Sequence, residues 1–279
     1  MPPKDLVVFL EQYSAGNQAR LAYAATLAKH WQAHLIAVFV GHPLALEIYA
    51  GFAVGPAFSS MLDEHRANFL EESRRMRKQF DALTERRSFT AEWRTFEEGS
   101  GEELMLQARH ADLAILGPPA AQLADRSMLS LYERLILASG RPCILTPDDS
   151  VIDRIPRRVV VGWNGSREAM RAISDAMPLL IAAERVVLVV VPEAGSERRL
   201  GAEPGADMSA HLSRHGVHVE LRQYRGGDAG NVLLEQCTAL DADLLVMGAA
   251  IRLRIGEVFF GSASKTVLSG IDRPLLLSA

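Results

Sequence analysis

The sequence predicts an α/β protein built of two tandem domains, each an open five-stranded parallel sheet flanked by helices. Short runs of Val, Ile and Leu alternate with segments of helical periodicity along the chain, which is typical of parallel strands joined by crossover helices. In addition, the segment ADLAILG at 111–117 recurs as ADLLVMG at 242–248. This internal repeat indicates that the second half of the chain copies the first.

Five strands are expected in each half, in the same order along the chain. In the N-terminal half they fall near residues 6–10, 35–40, 89–96, 112–116 and 142–146. In the C-terminal half they fall near residues 158–163, 186–191, 217–224, 243–247 and 274–278. This arrangement is of the flavodoxin-like or Rossmann-like type, in which ligands bind beyond the carboxyl ends of the strands.

Helical patterns occupy the intervals between strands, most clearly at 19–31, 59–86, 169–182 and 232–239. A polar segment framed by Pro147 and Pro156 separates the two halves and reads as a linker. We therefore expect an N-terminal domain at 1–151 and a C-terminal domain at 152–279.

Composition excludes several classes of protein. The chain has 279 residues, with 30 Lys and Arg against 34 Asp and Glu and a formal net charge of -4, so no broad basic surface is available for nucleic acid. No apolar run approaches the roughly 20 residues of a membrane-spanning helix, and no secretory signal precedes the first strand. Cys143 and Cys237 lie in apolar runs and are expected to be buried thiols. We expect a cytoplasmic protein without a membrane or nucleic-acid partner.

The candidate site residues lie at strand ends in the C-terminal half. The first strand there ends with Gly162 and Trp163, and Asn164, Gly165 and Ser166 lead directly into a helix. These three residues are candidates for ligand contact, and a simple helix N-cap is the alternative interpretation.

A second group of candidates follows the fourth strand of that half. The strand ends at Met247 and Gly248, and a loop containing Ile251 and Arg252 leads to a helix that opens with Gly261, Ser262 and Ala263. Backbone N–H groups at such a helix start suit phosphate, and Arg252 could add positive charge.

These segments resemble the universal stress protein family in its tandem form, and the resemblance extends over nearly the whole chain. The family's nucleotide-binding members carry G-x2-G-x9-G-[ST], and the counterparts here are Gly248, Ile251 and the pair Gly261-Ser262. Isoleucine thus replaces the middle glycine. The resemblance implies that Asn164 stands where relatives place an acidic residue against adenine, and that Val191 lines the base.

The resemblance further implies a function. We expect a protein of the stress response that binds ATP or another adenine nucleotide, with Mg²⁺ as the accompanying ion, for regulation rather than catalysis. It also implies that the halves pair through their last strands as an intrachain pseudo-dimer, and that the chain forms a homodimer.

Two alternatives remain open from the sequence. Ile251 disfavours the positive φ that a loop glycine permits, so a non-nucleotide scaffold acting through protein–protein interaction is the first alternative. Neither half offers a nucleophile beside a base or a metal-holding carboxylate set, and we expect no catalytic residue and no dedicated metal site. An enzyme with slow ATP hydrolysis or adenylyl chemistry is a further alternative, by analogy with related folds only.

The N-terminal half is expected to have lost its nucleotide site. After its fourth strand the chain continues as Gly117, Pro118 and Pro119, and prolines have no N–H to donate to phosphate. No Gly-Ser pair follows. We interpret this half as a structural or interaction partner of the other.

Overall fold

The computed structural model describes residues 1–41, 56–85, 88–97, 101–118, 131–148, 154–192, 203–249, 251–254 and 257–279. The side chains of residues 56, 57, 131, 251–254 and 257–259 are outside this description. The expected domain boundary at residues 151 and 152 lies outside the described residues.

The N-terminal half alternates strands and helices throughout its described residues. Its elements are β1 (Asp5–Leu10), α1 (Ala15–Trp31), β2 (His34–Val40), α2 (Pro56–Thr84), β3 (Ala91–Phe96), α3 (Gly101–Arg109), β4 (Leu113–Leu116), α4 (Leu131–Ala138) and β5 (Cys143–Leu145). The five strands predicted from the sequence in this half are confirmed.

The C-terminal half follows the same alternation with one addition. Its elements are β6 (Arg158–Trp163), α5 (Arg167–Ala182), β7 (Arg185–Val190), α6 (Ala206–Arg214), β8 (Val219–Gln223), α7 (Ala229–Leu240), β9 (Leu244–Gly248), β10 (Ile251–Arg254), β11 (Glu257–Phe260), α8 (Ser262–Gly270) and β12 (Leu275–Ser278). The predicted strands are again confirmed. The addition is the antiparallel pair β10 and β11, where the sequence predicted only a loop.

All ten predicted strands join one continuous sheet. Their order is β3-β2-β1-β4-β5-β12-β9-β6-β7-β8, so each half contributes five neighbouring strands. Strands within a half are parallel, whereas β5 and β12 are antiparallel and pair Ile144 with Leu276. The expected pairing of the two halves through their last strands is therefore confirmed.

Two apolar cores cover the two faces of the sheet. One face packs against α1, α2, α5 and α6, with Leu21, Met76 and Ile173 among its buried residues. The other packs against α3, α4, α7 and α8, with Leu135 and Val267 among its buried residues. Burial on both faces explains why the strands are nearly continuous runs of Val, Ile and Leu.

The two cysteines belong to the second of these cores. Cys143 and Cys237 are buried and form no disulfide, as expected from the sequence. Burial raises the pKa of both thiols to about 12, so neither is a nucleophile near neutral pH.

Within the described ranges, no helix combines the length and apolarity needed to cross a membrane.

Candidate functional site

A cavity lies where the strand order reverses in the C-terminal half, between the carboxyl ends of β6 and β9. This reversal point is where open parallel sheets bind ligands. The described residues that line the cavity are Gly162, Trp163, Asn164, Ser166, Ala169, Val189, Val191, Ala229, Leu233, Met247, Gly248 and Ala263. We call it the candidate cavity.

The walls of the candidate cavity are mostly apolar. Val189, Val191, Leu233 and Met247 are buried and supply most of its lining side chains. The volume of the candidate cavity is about 60 Å³, which holds a few water molecules but is well below the ~300 Å³ of a typical ligand pocket. An aromatic ring could enter the candidate cavity only in part. The rest of a larger ligand would have to lie along its open mouth.

Three helices begin at the candidate cavity, and two of them are capped by side chains. The hydroxyl of Ser166 accepts a hydrogen bond from the N–H of Ala169 at the start of α5, at 3.1 Å. The carboxylate of Asp228 likewise accepts from the N–H of Asn231 at the start of α7, at 2.9 Å. These caps satisfy part of the free N–H groups of α5 and α7.

The third helix, α8, has no such cap. It begins after Gly261, which is extended (φ -61°, ψ 166°) and has no side chain to accept a hydrogen bond. The first N–H groups of a helix lack partners within the helix and lie at the positive end of its dipole. Because Ala263 in the first turn lines the candidate cavity, the start of α8 is its most favourable position for an anion.

Gly248 lets β9 approach the start of α5 closely. A Cβ atom at this position would lie 2.5 Å from the backbone nitrogen of Ala169 and 2.5 Å from the carbonyl carbon of Glu168. No larger residue fits without moving the backbone. The glycine therefore sets the distance between the two sides of the candidate cavity.

Asn164 has a fixed orientation at the end of β6. Its side-chain oxygen accepts a hydrogen bond from the N–H of Ser166 at 3.0 Å, which closes a tight turn around Gly165. Gly165 has a φ of 71°, a left-handed conformation that favours glycine. The turn connects β6 to the N-cap of α5 and holds Asn164 at the mouth of the reversal point.

The structure brings together six of the residues selected from the sequence. Asn164, Ser166, Val191, Met247, Gly248 and Ala263 all line the candidate cavity. Gly165 is the turn residue after Asn164, while Gly261 directly precedes α8 without capping it and Ser262 is the first residue of that helix. Ile251 and Arg252 begin β10, and their side chains lie outside the described part of the chain.

Sequence reasoning missed the other half of the lining, which is Gly162, Trp163, Ala169, Val189, Ala229 and Leu233. Two spacings could have found some of them. Val189 lies two residues before Val191 and so shares its face of the strand, and Ala229 and Leu233 are four residues apart on one helix face. No comparable spacing points to Trp163.

In the N-terminal half, a buried arginine lies against the end of β4, the strand that corresponds to β9. Arg20 from α1 is 3% exposed, and a Cβ atom on Gly117 at the end of β4 would lie 2.6 Å from its guanidinium. Burial and the neighbouring Glu11 raise the pKa of Tyr132, in the first turn of α4, well above its usual value. The charge of Arg20 also acts on Tyr132, so these two buried polar residues lie near each other at the end of β4.

Comparison with known proteins connects this chain to one family. Residues 156–278 match the model of the Universal stress protein family. A curated universal stress protein from Mycolicibacterium smegmatis is 39% identical over 70 residues, which are 25% of this chain and 54% of that protein. The alignment thus spans only about half the length of that relative.

Solved structures extend the similarity of fold to the whole chain. A universal stress protein from Archaeoglobus fulgidus DSM 4304 has a TM-score of 0.69 at 18% identity, covering 98% of this chain and 97% of that one. A protein from Pseudomonas aeruginosa UCBPP-PA14 has a TM-score of 0.59 at 12% identity, covering 99% and 93%. At these identities the two structures establish the fold alone.

Proposed function

We propose that the chain binds an adenine nucleotide in its C-terminal half. Residues 156–278 match the model of the Universal stress protein family, and the whole chain has the fold of a solved universal stress protein. The ligand is of the ATP or AMP class. The role is regulation within a stress response, and catalysis is not part of the proposal.

One observation carries this proposal: the apolar slot of the candidate cavity meets the uncapped start of α8. Val189, Val191 and Leu233 suit an aromatic base, because they line the candidate cavity with apolar surface. The free N–H groups at the start of α8 suit phosphate oxygens. A nucleotide is a ligand class that needs both features side by side.

The small volume of the candidate cavity determines which part of the nucleotide lies inside it. Since this volume is about 60 Å³, the cavity takes an edge of the base, while the ribose and phosphates lie along the open mouth toward Ala263. A nucleotide bound in this way remains partly exposed. A substrate has to be shielded from water during the reaction, whereas a regulatory ligand can stay exposed and be contacted by a binding partner. The partial exposure therefore fits a regulatory ligand better than a substrate.

The lining explains why catalysis is left out. Among its described residues there is no carboxylate, histidine, cysteine or lysine, and the hydroxyl of Ser166 is used as a helix cap. No general base therefore faces the phosphates from this set.

Within the described residues no group of three or more His, Cys, Asp or Glu could hold a metal ion. Mg²⁺ would accordingly be coordinated by the phosphates of a triphosphate.

A second candidate function is an interaction scaffold that binds no nucleotide. It is favoured by the small volume of the candidate cavity and by Ile251, which stands where the nucleotide-binding pattern has glycine. In this case the C-terminal half would have lost its ligand as we expect the N-terminal half to have done.

Calorimetric titration with ATP and with AMP, each with and without Mg²⁺, distinguishes the two candidates. We expect wild type to bind and Ala263→Phe to bind at least about tenfold more weakly, because the larger side chain occupies the slot beside α8. Ala182→Phe is the matched control, since Ala182 is exposed at the far end of α5, and it should bind like wild type. Failure of wild type to bind either nucleotide would contradict the proposal and favour the scaffold. Phosphate release during the titration would instead indicate hydrolysis.

A further inference from the structure

We infer that Asn164 presents a hydrogen-bond donor to the base in the candidate cavity, so that 6-oxopurine nucleotides bind at least as tightly as adenine nucleotides. The inference rests on the proposed function, because it concerns which purine the same cavity accepts. It goes beyond that function by assigning one side chain the task of reading position 6 of the base.

The hydrogen bond between Asn164 and Ser166 determines which end of the amide is free. The N–H of Ser166 needs an acceptor, and of the two terminal atoms of an asparagine amide only the oxygen accepts. The Nδ2 group is therefore the end of the amide that does not face the N–H of Ser166. No hydrogen bond connects it to another of the described residues. Asn164 faces a ligand mainly as a donor of two N–H bonds.

The other polar side chains of the lining also offer donors. The oxygen of Ser166 already accepts from the N–H of Ala169, which leaves its O–H to donate. The indole of Trp163 has an N–H and no acceptor. The remaining described lining residues are glycines and apolar side chains. The side chains of this cavity thus favour a base edge that carries acceptors.

Purines differ at this edge in a simple way. A 6-oxopurine presents two acceptors, O6 and N7, whereas adenine presents the acceptor N7 beside the donor N6. A donor at Asn164 can pair with O6 but opposes the hydrogens of the 6-amino group. With adenine, the Asn164 donor must pair with a ring nitrogen instead. A carboxylate in place of Asn164 would accept from the 6-amino group and so favour adenine over a 6-oxopurine.

The test compares ITP with ATP, which differ at position 6 and in the proton on N1, by calorimetric titration of wild type and Asn164→Asp. The substitution keeps an oxygen to accept from Ser166 and converts Nδ2 into a second acceptor at nearly constant shape. We expect wild type to bind ITP at least as tightly as ATP. In Asn164→Asp the ratio of the two dissociation constants should move about tenfold in favour of ATP.

Asn231→Asp is the control for added charge. Asn231 is exposed in the first turn of α7 and does not line the candidate cavity, so this variant adds the same charge nearby without touching the base. Its ratio should equal that of wild type. Asn164→Ala, which removes both amide groups, should weaken ITP more than ATP and provides a second variant.

The outcomes separate this inference from the function on which it rests. A wild type that prefers ATP about tenfold, or an Asn164→Asp variant with an unchanged ratio, overturns the inference and leaves nucleotide binding standing. A wild type that binds neither ITP nor ATP overturns the proposed function and the inference together.

Discussion

Asp112 and Asp243 make the same contact in the two halves of the chain. In each case one carboxylate oxygen accepts hydrogen bonds from two successive backbone N–H groups at the start of the neighbouring strand. Asp112 binds the N–H groups of Lys4 and Asp5 at 2.7 and 3.1 Å, and Asp243 binds those of Arg157 and Arg158 at 3.0 and 2.9 Å. The two carboxylates tie together the strands that flank each reversal point, at the edge opposite the candidate cavity.

Replacement of Asp243 should destabilise the protein. Its side chain is 14% exposed and also pairs with Arg154 at 2.8 Å, so Asp243→Ala removes the acceptor of two backbone N–H groups and one ion pair of Arg154. We expect the free energy of unfolding in urea to fall by about 2–4 kcal/mol. Glu184→Ala, which removes an ion pair between two half-exposed side chains, should cost less than about 1 kcal/mol. Equal losses in the two variants would show that Asp243 is an ordinary surface charge.

The stabilisation by Asp243 should depend on pH. Burial raises the pKa of this carboxyl, but hydrogen bonds from Arg154 and from the backbone of Arg158 and Arg157 outweigh burial, and the pKa is lowered overall. Because the folded pKa lies below the unfolded one, the stabilisation is present above the unfolded pKa and is lost as pH falls through the folded pKa. Urea midpoints measured from about pH 5 to about pH 3 should therefore fall more steeply in wild type than in Asp243→Ala. Parallel curves would contradict this assignment.

Gly248→Ala should damage both stability and the candidate cavity. The new Cβ would lie 2.5 Å from the backbone nitrogen of Ala169, so the start of α5 must move. We expect a loss of about 2 kcal/mol in unfolding free energy and at least about tenfold weaker ATP binding. Gly216→Ala is the control, because a Cβ there meets nothing within 4 Å although φ is 82°. That variant should lose about 1 kcal/mol from backbone strain and bind ATP as wild type does.

Arg20→Ala should destabilise the chain without affecting nucleotide binding. The buried guanidinium donates to Thr146 at 2.9 Å, to Asn17 at 2.5 Å and to Asp148 at 2.8 Å. Its removal costs these bonds and leaves a space, so we expect a loss of about 3 kcal/mol by chemical denaturation. Arg167→Ala, at a residue that is 87% exposed, should change stability by less than about 0.5 kcal/mol. A weakened affinity for ATP in Arg20→Ala would mean that the N-terminal half takes part in binding.

The strands and the reversal point could be predicted because their signals are local. Apolar runs such as Val159–Val161 and Val186–Val191 indicate buried strands by their composition alone. The repeat of Ala111–Gly117 indicates that the strands of the second half follow the same order as those of the first. The hairpin of β10 and β11 could also have been predicted. Ile251–Arg254 alternates apolar and polar residues, Glu257–Phe260 ends in three apolar residues, and a short connection that contains Gly256 separates them, which is a hairpin pattern.

Contacts between distant segments could not be predicted in this way. From the sequence we expect the N-terminal half to have no nucleotide site, on the ground of Pro118 and Pro119 in one loop. The buried Arg20 near that loop could not be foreseen, because its hydrogen bond to Asp148 joins residues 128 positions apart and no periodic pattern indicates it. The same holds for Trp163, which lines the candidate cavity only because β6 and α5 bring it there.

The central claim is that the chain has one nucleotide site, in its C-terminal half. Equilibrium dialysis of the full chain against labelled ATP tests this claim most directly, since it counts the ligands bound at saturation. We predict one ATP per chain, because the start of α8 beside the candidate cavity has no side-chain cap, whereas the buried Arg20 and Tyr132 lie near the end of β4 in the other half. Zero or two ATP per chain would contradict the account.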